Sequence, residues 1–243
     1  MKTKHLIFKI LLCIPLLVGA QSKTFTVESF KKVIVSPHIE VTFKKGTQEK
    51  VEIIENHSAL NIDVKSKTLH LYLNDAKITS PTKKIKVNGA TQKVPIYRGT
   101  LVKAVVTYKD VETFSLRGEE DFLFKSPIDQ DKLTLNVYGE SKVVVEKMTL
   151  NKLKTTLYGA SKFIINAGTV NEQKYTVYGE AKIKVSQVKS KQTKIVAYGA
   201  ANVKVNTSDR LKVTSYGEAK VYYKGSPKVS KGIVIGDTTI EAL

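Results

Sequence analysis

The chain has 243 residues, 42% of them apolar, a formal net charge of +18 and a single cysteine. One cysteine excludes a disulfide framework and a cysteine-built zinc site, and the apolar share excludes a disordered chain. The excess of positive charge favours anionic partners: acidic glycans, envelope surfaces or nucleic acid.

The first residues read as a secretory signal peptide, residues 1–20. Lys2, Lys4 and Lys9 flank the start of an apolar run from Leu6 to Val18, and Val18-Gly-Ala20 supplies the small residues of a cleavage site. The run is too short and too early for a good membrane span. Cys13 follows Leu11-Leu12 and makes a poor lipoprotein acceptor. Loss of the leader's three lysines lowers the net charge from +18 to +15. The expected location is therefore outside the cytoplasm: periplasm, outer membrane or cell surface, or extracellular. Export makes nucleic acid the least expected anion and leaves acidic or cell-wall polysaccharide and the envelope surface as the expected partners.

Residues 21–111 carry short runs with strand alternation. Val33 and Val35 precede Ser36-Pro37; Ile39, Val41 and Phe43 alternate with polar residues up to Gly46; Leu69, Leu71 and Leu73 alternate again. An excursion or long hairpin is expected near residues 86–100, where Asn88-Gly89 is a strong turn signal. Leu101–Tyr108 resumes a buried strand, and Arg117-Gly118 marks a degraded first copy of a repeated phrase.

Residues 112–243 hold that repeat. Val137-Tyr-Gly-Glu-Ser-Lys-Val143 returns as Leu157-Tyr-Gly-Ala-Ser-Lys-Phe163, Val177-Tyr-Gly-Glu-Ala-Lys-Ile183, Ala197-Tyr-Gly-Ala-Ala-Asn-Val203 and Ser215-Tyr-Gly-Glu-Ala-Lys-Val221. Tyr138, Tyr158, Tyr178, Tyr198 and Tyr216 are spaced by 20, 20, 20 and 18 residues, the mark of a stacked repeat. With Leu133 as position one, positions one, three and five are mostly apolar, position six is Tyr, position seven Gly and position nine small. The pattern predicts two alternating strands joined at a glycine corner, with odd positions inward and even positions outward. One unit cannot bury its apolar face alone, so copies stack. The expected fold is all-β: a parallel β-helix (β-solenoid) of about 20-residue coils, right-handed by the general rule for parallel connections, filling residues 21–243 as a single domain. Coiled throughout at this period, the mature chain would make about eleven coils, a rod roughly 50 Å tall.

At these residues the chain resembles the putative auto-transporter adhesin, head GIN-domain family of exported bacterial β-helix proteins. The resemblance is carried by Tyr158-Gly-Ala-Ser-Lys162 and its copies, by Phe30–Gly46, and by Val105–Tyr108 running on to Leu116-Arg-Gly118. It implies a right-handed β-helix with adhesion or surface interaction as its role, and no catalytic residues.

Stacking turns each repeat position into a column. Position six gives Tyr138, Tyr158, Tyr178, Tyr198 and Tyr216; position ten gives Lys142, Lys162, Lys182, Asn202 and Lys220; position eight alternates Glu140, Ala160, Glu180, Ala200 and Glu218. The alternation keeps like charges two coils apart, with each Glu expected to reach nearby lysines. The tyrosines are either an aromatic ladder or a flat aromatic platform, bordered by Lys142, Lys162, Lys182 and Lys220, that binds a sugar polymer. No cofactor or metal is expected, because His38, His57 and His70 lack ligand spacing. No catalytic set stands out. The alternative is a polysaccharide lyase or hydrolase using Glu119-Glu-Asp121, where Glu120 takes the small inward position and an irregular coil is expected. The first reading is a non-enzymatic scaffold or binding protein of the cell envelope.

Overall fold

The computed structural model describes residues 23–243, so the expected leader lies outside the described residues. The chain is built from strands and turns. The first nine strands are β1 (Lys23–Thr26), β2 (Lys32–Val35), β3 (Ile39–Lys45), β4 (Lys50–Glu55), β5 (Leu60–Lys65), β6 (Thr68–Leu73), β7 (Thr82–Val87), β8 (Ala90–Pro95) and β9 (Val102–Tyr108). The regular part continues with β10 (Thr113–Gly118), β11 (Asp121–Phe124), β12 (Ile128–Gly139), β13 (Lys142–Val145), β14 (Met148–Tyr158), β15 (Lys162–Ile165), β16 (Gly168–Tyr216), β17 (Ala219–Lys224), β18 (Lys228–Ile235) and β19 (Thr238–Ala242). The long β16 runs through several consecutive coils without a break.

From β10 onward every pairing with a later strand is parallel. β10 pairs β12 with Gly118 opposite Gly139, and β12 pairs β14 with Tyr138 opposite Tyr158. β14 pairs β16 with Tyr158 opposite Tyr178, and β11, β13 and β15 stack alongside on the second face. This is the parallel β-solenoid that the repeat spacing requires. The residues between repeats form a third side: Ile128 lies opposite Met148, which lies opposite Gly168.

Odd positions point inward. Leu133, Leu135, Val137, Leu153, Leu157 and Val177 are buried, and so is position nine at Ser141, Ser161, Ala181, Ala201 and Ala219. The small residue leaves room at the corner. Where it is serine, its hydroxyl donates to the glycine carbonyl of the coil before: Ser141 Oγ to Gly118 O at 2.9 Å and Ser161 Oγ to Gly139 O at 3.0 Å. The corner needs glycine on two grounds. Gly159 has φ of +99°, which a β-carbon disfavours, and a β-carbon there would collide with the Gly139 carbonyl.

The rod is shorter than a chain coiled throughout: about six turns, not about eleven. The reason lies in residues 23–108. β2 and β3 join the parallel stack, β2 between β6 and β10, β3 between β9 and β11. β1, β4 and β5 instead pair antiparallel: β4 with β9, β1 with β4, and β5 with β6. They close the end of the stack rather than lengthening it, and pairing covers an edge that would otherwise be open. A cluster of rings joins this end to the regular coils. Phe43 stacks on Phe124 at 4.6 Å and meets Phe114 edge-on at 4.9 Å, all three fully buried.

The excursion starts earlier than residue 86. β7 and β8 form a separate antiparallel hairpin around Asn88-Gly89, both with positive φ, as a type I′ turn requires. Its two feet are held by one ring. His38 Nδ1 lies 2.8 Å from the Gly99 carbonyl after β8, and Nε2 lies 2.6 Å from Ser80 Oγ before β7.

Candidate functional site

The five tyrosines form one column. Their ring centroids lie 4.9, 4.8, 4.9 and 5.0 Å apart and adjacent planes differ by no more than 6°. Each inner ring therefore has both faces against a neighbouring ring. At one end Arg117 lies over the Tyr138 ring at 5.0 Å, and at the other the tyrosine column gives way to Ile235, the register partner of Tyr216. The platform geometry is thus corrected. The column presents ring edges and a row of phenol hydroxyls at the surface, because stacking occupies the faces. Tyr158, Tyr178 and Tyr198 remain about 40% exposed through those edges.

The ladder is a ridge between two grooves. On one side, a groove of about 490 Å³ is lined by Lys154, Lys174, Lys194 and Lys212 at position two, by Thr156, Thr176 and Thr214 at position four, and by Tyr158, Tyr178 and Tyr198. On the other side, a groove of about 460 Å³ runs past the glycine corner and holds Lys162, Lys182 and Lys220 with Glu180 and Glu218. The corner therefore separates the tyrosines from Lys162, Lys182 and Lys220. Lys142, at the same repeat position, is occupied by Asp121, its Nζ 3.2 Å from the carboxylate. The lysines that share a groove with the tyrosines are Lys154, Lys174, Lys194 and Lys212, which sequence reasoning missed. The signal was present: Lys174-Tyr-Thr-Val-Tyr178 puts Lys, Thr and Tyr on alternating, outward positions.

The two grooves differ in charge. The tyrosine-side groove has no carboxylate among its lining residues. Lys154 and Lys174 are direct register partners on neighbouring coils. Like charges placed directly opposite each other destabilise a sheet. The position-eight column avoids this by alternating Glu with Ala. Its glutamates do not reach lysines as expected: among the described residues the ion pairs involve Asp63, Asp110, Asp121, Asp131, Glu55 and Glu172, and none involves Glu140, Glu180 or Glu218.

The acidic patch does not converge. Asp121 points out to Lys142, and Asp110 lies 3.9 Å from Lys45. Glu120 is buried, 5% exposed, and its coil is not irregular: β10 and β11 keep register with β12 and β13 across it. Its carboxylate turns back over the corner and accepts from His38 N at 3.0 Å and Glu119 N at 2.9 Å. The coil beneath has Ser36-Pro37-His38 in place of Tyr-Gly-Glu, and His38 has φ of +73° with its backbone N–H turned to that carboxylate. Burial pushes the Glu120 carboxyl above the usual range, while the N–H donors and His38 act against the shift.

Among the described residues no group of three His, Cys, Asp or Glu side chains could hold a metal ion. His38 and His57 both pack against Tyr97, and His70 lies apart from them at Ser36. His70 Nε2 contacts Ser36 Oγ at 2.9 Å, and burial lowers its pKa, with Asp63 acting in the other direction. His57 meets Tyr97 edge-on.

Residues 29–227 match the family described as putative auto-transporter adhesin, head GIN domain. Solved structures share the fold. A putative adhesin from Bacteroides fragilis NCTC 9343 is 18% identical, with 92% of this chain and 96% of that one covered at a TM-score of 0.73. A putative adhesin from Parabacteroides distasonis ATCC 8503 is 21% identical over 92% and 96%, at a TM-score of 0.63. A putative lipid binding protein from the same organism is 18% identical over 92% and 96%, at 0.64. No curated protein matches the sequence.

Proposed function

Because this chain belongs to the putative auto-transporter adhesin, head GIN domain family, we propose that it is an exported envelope protein that binds an acidic polysaccharide along the Lys/Thr/Tyr groove of its stack. The observation that carries this reading is the unbroken column Lys154, Lys174, Lys194, Lys212. Four ammonium groups on successive coils, about 4.8 Å apart at their backbones, repel one another, and the one carboxylate that borders them, Glu172 in the adjoining groove, is paired with Lys152 at 2.9 Å. An anionic polymer laid along the axis supplies that relief. Threonine and tyrosine hydroxyls beside the lysines suit sugar hydroxyls, and the stacked rings hold the phenols in place before the ligand arrives, which lowers the ordering cost of binding. A lyase or hydrolase built on Glu119–Asp121 has less support, because Glu120 is committed to backbone donors and Asp121 to Lys142.

The test is co-sedimentation with a polyuronate such as alginate. Replacing Lys174 and Lys194 with Ala should weaken retention about tenfold, equivalent to about 1.4 kcal/mol, and wild-type retention should fall as salt rises. The triple change Tyr158→Phe, Tyr178→Phe, Tyr198→Phe keeps the stack and removes the hydroxyls, and it should weaken retention several-fold. Retention that is unchanged in both variants, with native circular dichroism, overturns the groove reading.

A further inference from the structure

The lower end of the tyrosine ladder opens into the largest concavity described in the molecule, a cleft of about 750 Å³ between the β7–β8 hairpin and the coil corners. Its walls include His38, Ser80, Tyr97, Arg98, Arg117 and Tyr138, with two carboxylates at the corner, Glu119 and Glu120, of which Glu120 is taken up by the His38 and Glu119 N–H groups. The chain has three arginines among its 40 basic residues, Arg98, Arg117 and Arg210, and two of the three line this one cleft. Apart from Arg210, every other Lys/Arg position is lysine. Arginine differs in presenting a planar fork of N–H donors that fits a carboxylate in two-point fashion. The Arg117 Nε is buried and has no hydrogen-bond partner, although the guanidinium lies over the Tyr138 ring. That nitrogen is shut off from the cleft, so an anion there would meet the terminal nitrogens of the same guanidinium.

The rest of the wall is polar and pre-set. The Gly99 carbonyl can only accept, so His38 Nδ1 carries the proton and Nε2 accepts from the Ser80 hydroxyl. The Ser80 oxygen keeps its lone pairs for a ligand donor. Tyr97, packed against both His38 and His57 at 5.7 Å, and Tyr138 supply ring surface. Two arginine forks, two aromatic rings and a serine hydroxyl, set against the single free carboxylate of Glu119, leave a cleft of ligand size with a net positive wall that suits one acidic sugar residue.

We propose that this cleft seats the end residue of a uronate-containing saccharide, with Arg98 and Arg117 taking its carboxylate. Tyr138 belongs both to the cleft wall and to the ladder, so a chain seated here is led onto the tyrosine column. The hairpin, pinned by His38, closes the column at this end and makes the cleft a terminus rather than a passage. The cleft rests on its own residues; its role as the seat of a chain end rests on the groove reading.

The experiment is titration of the full chain with glucuronate, glucose and glucose 6-phosphate, followed by amide chemical shifts. Glucuronate should shift the amides of Gly99, Gly118 and Glu119 in a saturable way, and glucose should bind at least about tenfold more weakly, as expected for a charge-assisted contact. Arg98→Ala, an exposed change that leaves the fold alone, should cost about tenfold, and Arg117→Gln should do the same. No saturable shift with glucuronate, equal binding of glucose, or wild-type affinity in Arg98→Ala overturns the site. Stronger binding of glucose 6-phosphate than of glucuronate overturns the assignment to a carboxylate. Competition by a hexa-uronide and by long polyuronate at equal mass then tests the chain end. Displacement of glucuronate that follows the number of chain ends supports it, and displacement that follows total mass overturns it. The groove reading fails separately, by loss of polymer retention in the co-sedimentation test.

Discussion

The two halves of the molecule use strands of the same alternation and bury one continuous core, yet only one half coils. In residues 133–223 each repeat corner is Tyr-Gly with a small residue two places later, and each coil is a template for the next. In residues 23–108 the one corner in the stack is Ser36-Pro37-His38, between the parallel strands β2 and β3; away from it the chain reverses at turns, so that β1, β4 and β5 pair antiparallel. The difference shows that inward apolar residues specify burial, whereas the corner chemistry specifies direction. A glycine with positive φ lets the chain pass from one face to the next beneath its own neighbour. At Ser36-Pro37-His38 the positive φ of His38 serves instead, and where the chain has no such corner, around β1, β4 and β5, it turns back and closes the stack.

The largest expected effect tests that distinction. Gly159→Ala meets both a positive φ and the backbone of Gly139, and should cost about 3 kcal/mol. Gly89 also has a positive φ, +80°, but nothing lies within 4 Å of a β-carbon at that hairpin tip. Gly89→Ala should therefore cost only the backbone strain, about 1 kcal/mol. Urea midpoints of the two variants measure the gap. Equal losses would mean that the corner needs glycine for its dihedral alone, and close approach of coils would drop out of the account.

The junction between the halves comes next. Glu120 sits where the first regular corner crosses the Pro37-His38 corner, with its folded pKa raised mainly by burial. A raised carboxyl contributes stability that is complete below its unfolded pKa, about 4.3, and that is lost as pH rises through the folded value. Relative to Glu120→Gln, the wild type should gain stability as pH falls from 7 to 4. Denaturant midpoints of both proteins at both values check this. A difference that stays constant with pH would show that the carboxyl titrates alike in the folded and unfolded chain.

How much of this was legible in the sequence divides along the same line. The period of the tyrosines specified the coil, the inward positions and the column, because a repeated phrase has one periodic solution. The antiparallel end was not legible. Period-two alternation in Val51–Ile53 or Leu69–Leu73 reads the same whichever way the partner runs. Glu120 was recognised as out of place, but its purpose depends on the His38 N–H, 82 residues away. The stacking of the rings follows from the coil spacing, yet the orientation that hides their faces needed coordinates. The lysines of the tyrosine-side groove were legible and overlooked, since they precede the conspicuous phrase rather than belong to it. The cleft could not be read at all: His38, Ser80, Arg98, Arg117 and Tyr138 come together only through the hairpin's return to the corner.

The smallest expected effects bear on the lysine column, and their signs matter more than their sizes. Lys152 lies opposite Glu172 in register, with Nζ 2.9 Å from the carboxylate, both about half exposed. Lys174, two places further along that same neighbouring coil, lies opposite Lys154. Removing a cation from the first pair loses an attraction worth about 0.5 kcal/mol at an exposed site. Removing one from the second relieves a repulsion of similar size. Lys152→Ala should therefore destabilise slightly and Lys174→Ala should leave stability unchanged or raise it by a few tenths of a kcal/mol. The contrast should shrink in high salt, because exposed charges are screened within about 10 Å at 0.1 M. Paired urea titrations at low and high salt read both signs. If Lys174→Ala destabilises as Lys152→Ala does, the lysine column carries no electrostatic strain for a ligand to relieve, and the groove loses the observation that singled it out. If the signs are opposite, the groove holds charge that the fold does not need, placed beside hydroxyls on rigid coils, where an anionic chain would use it.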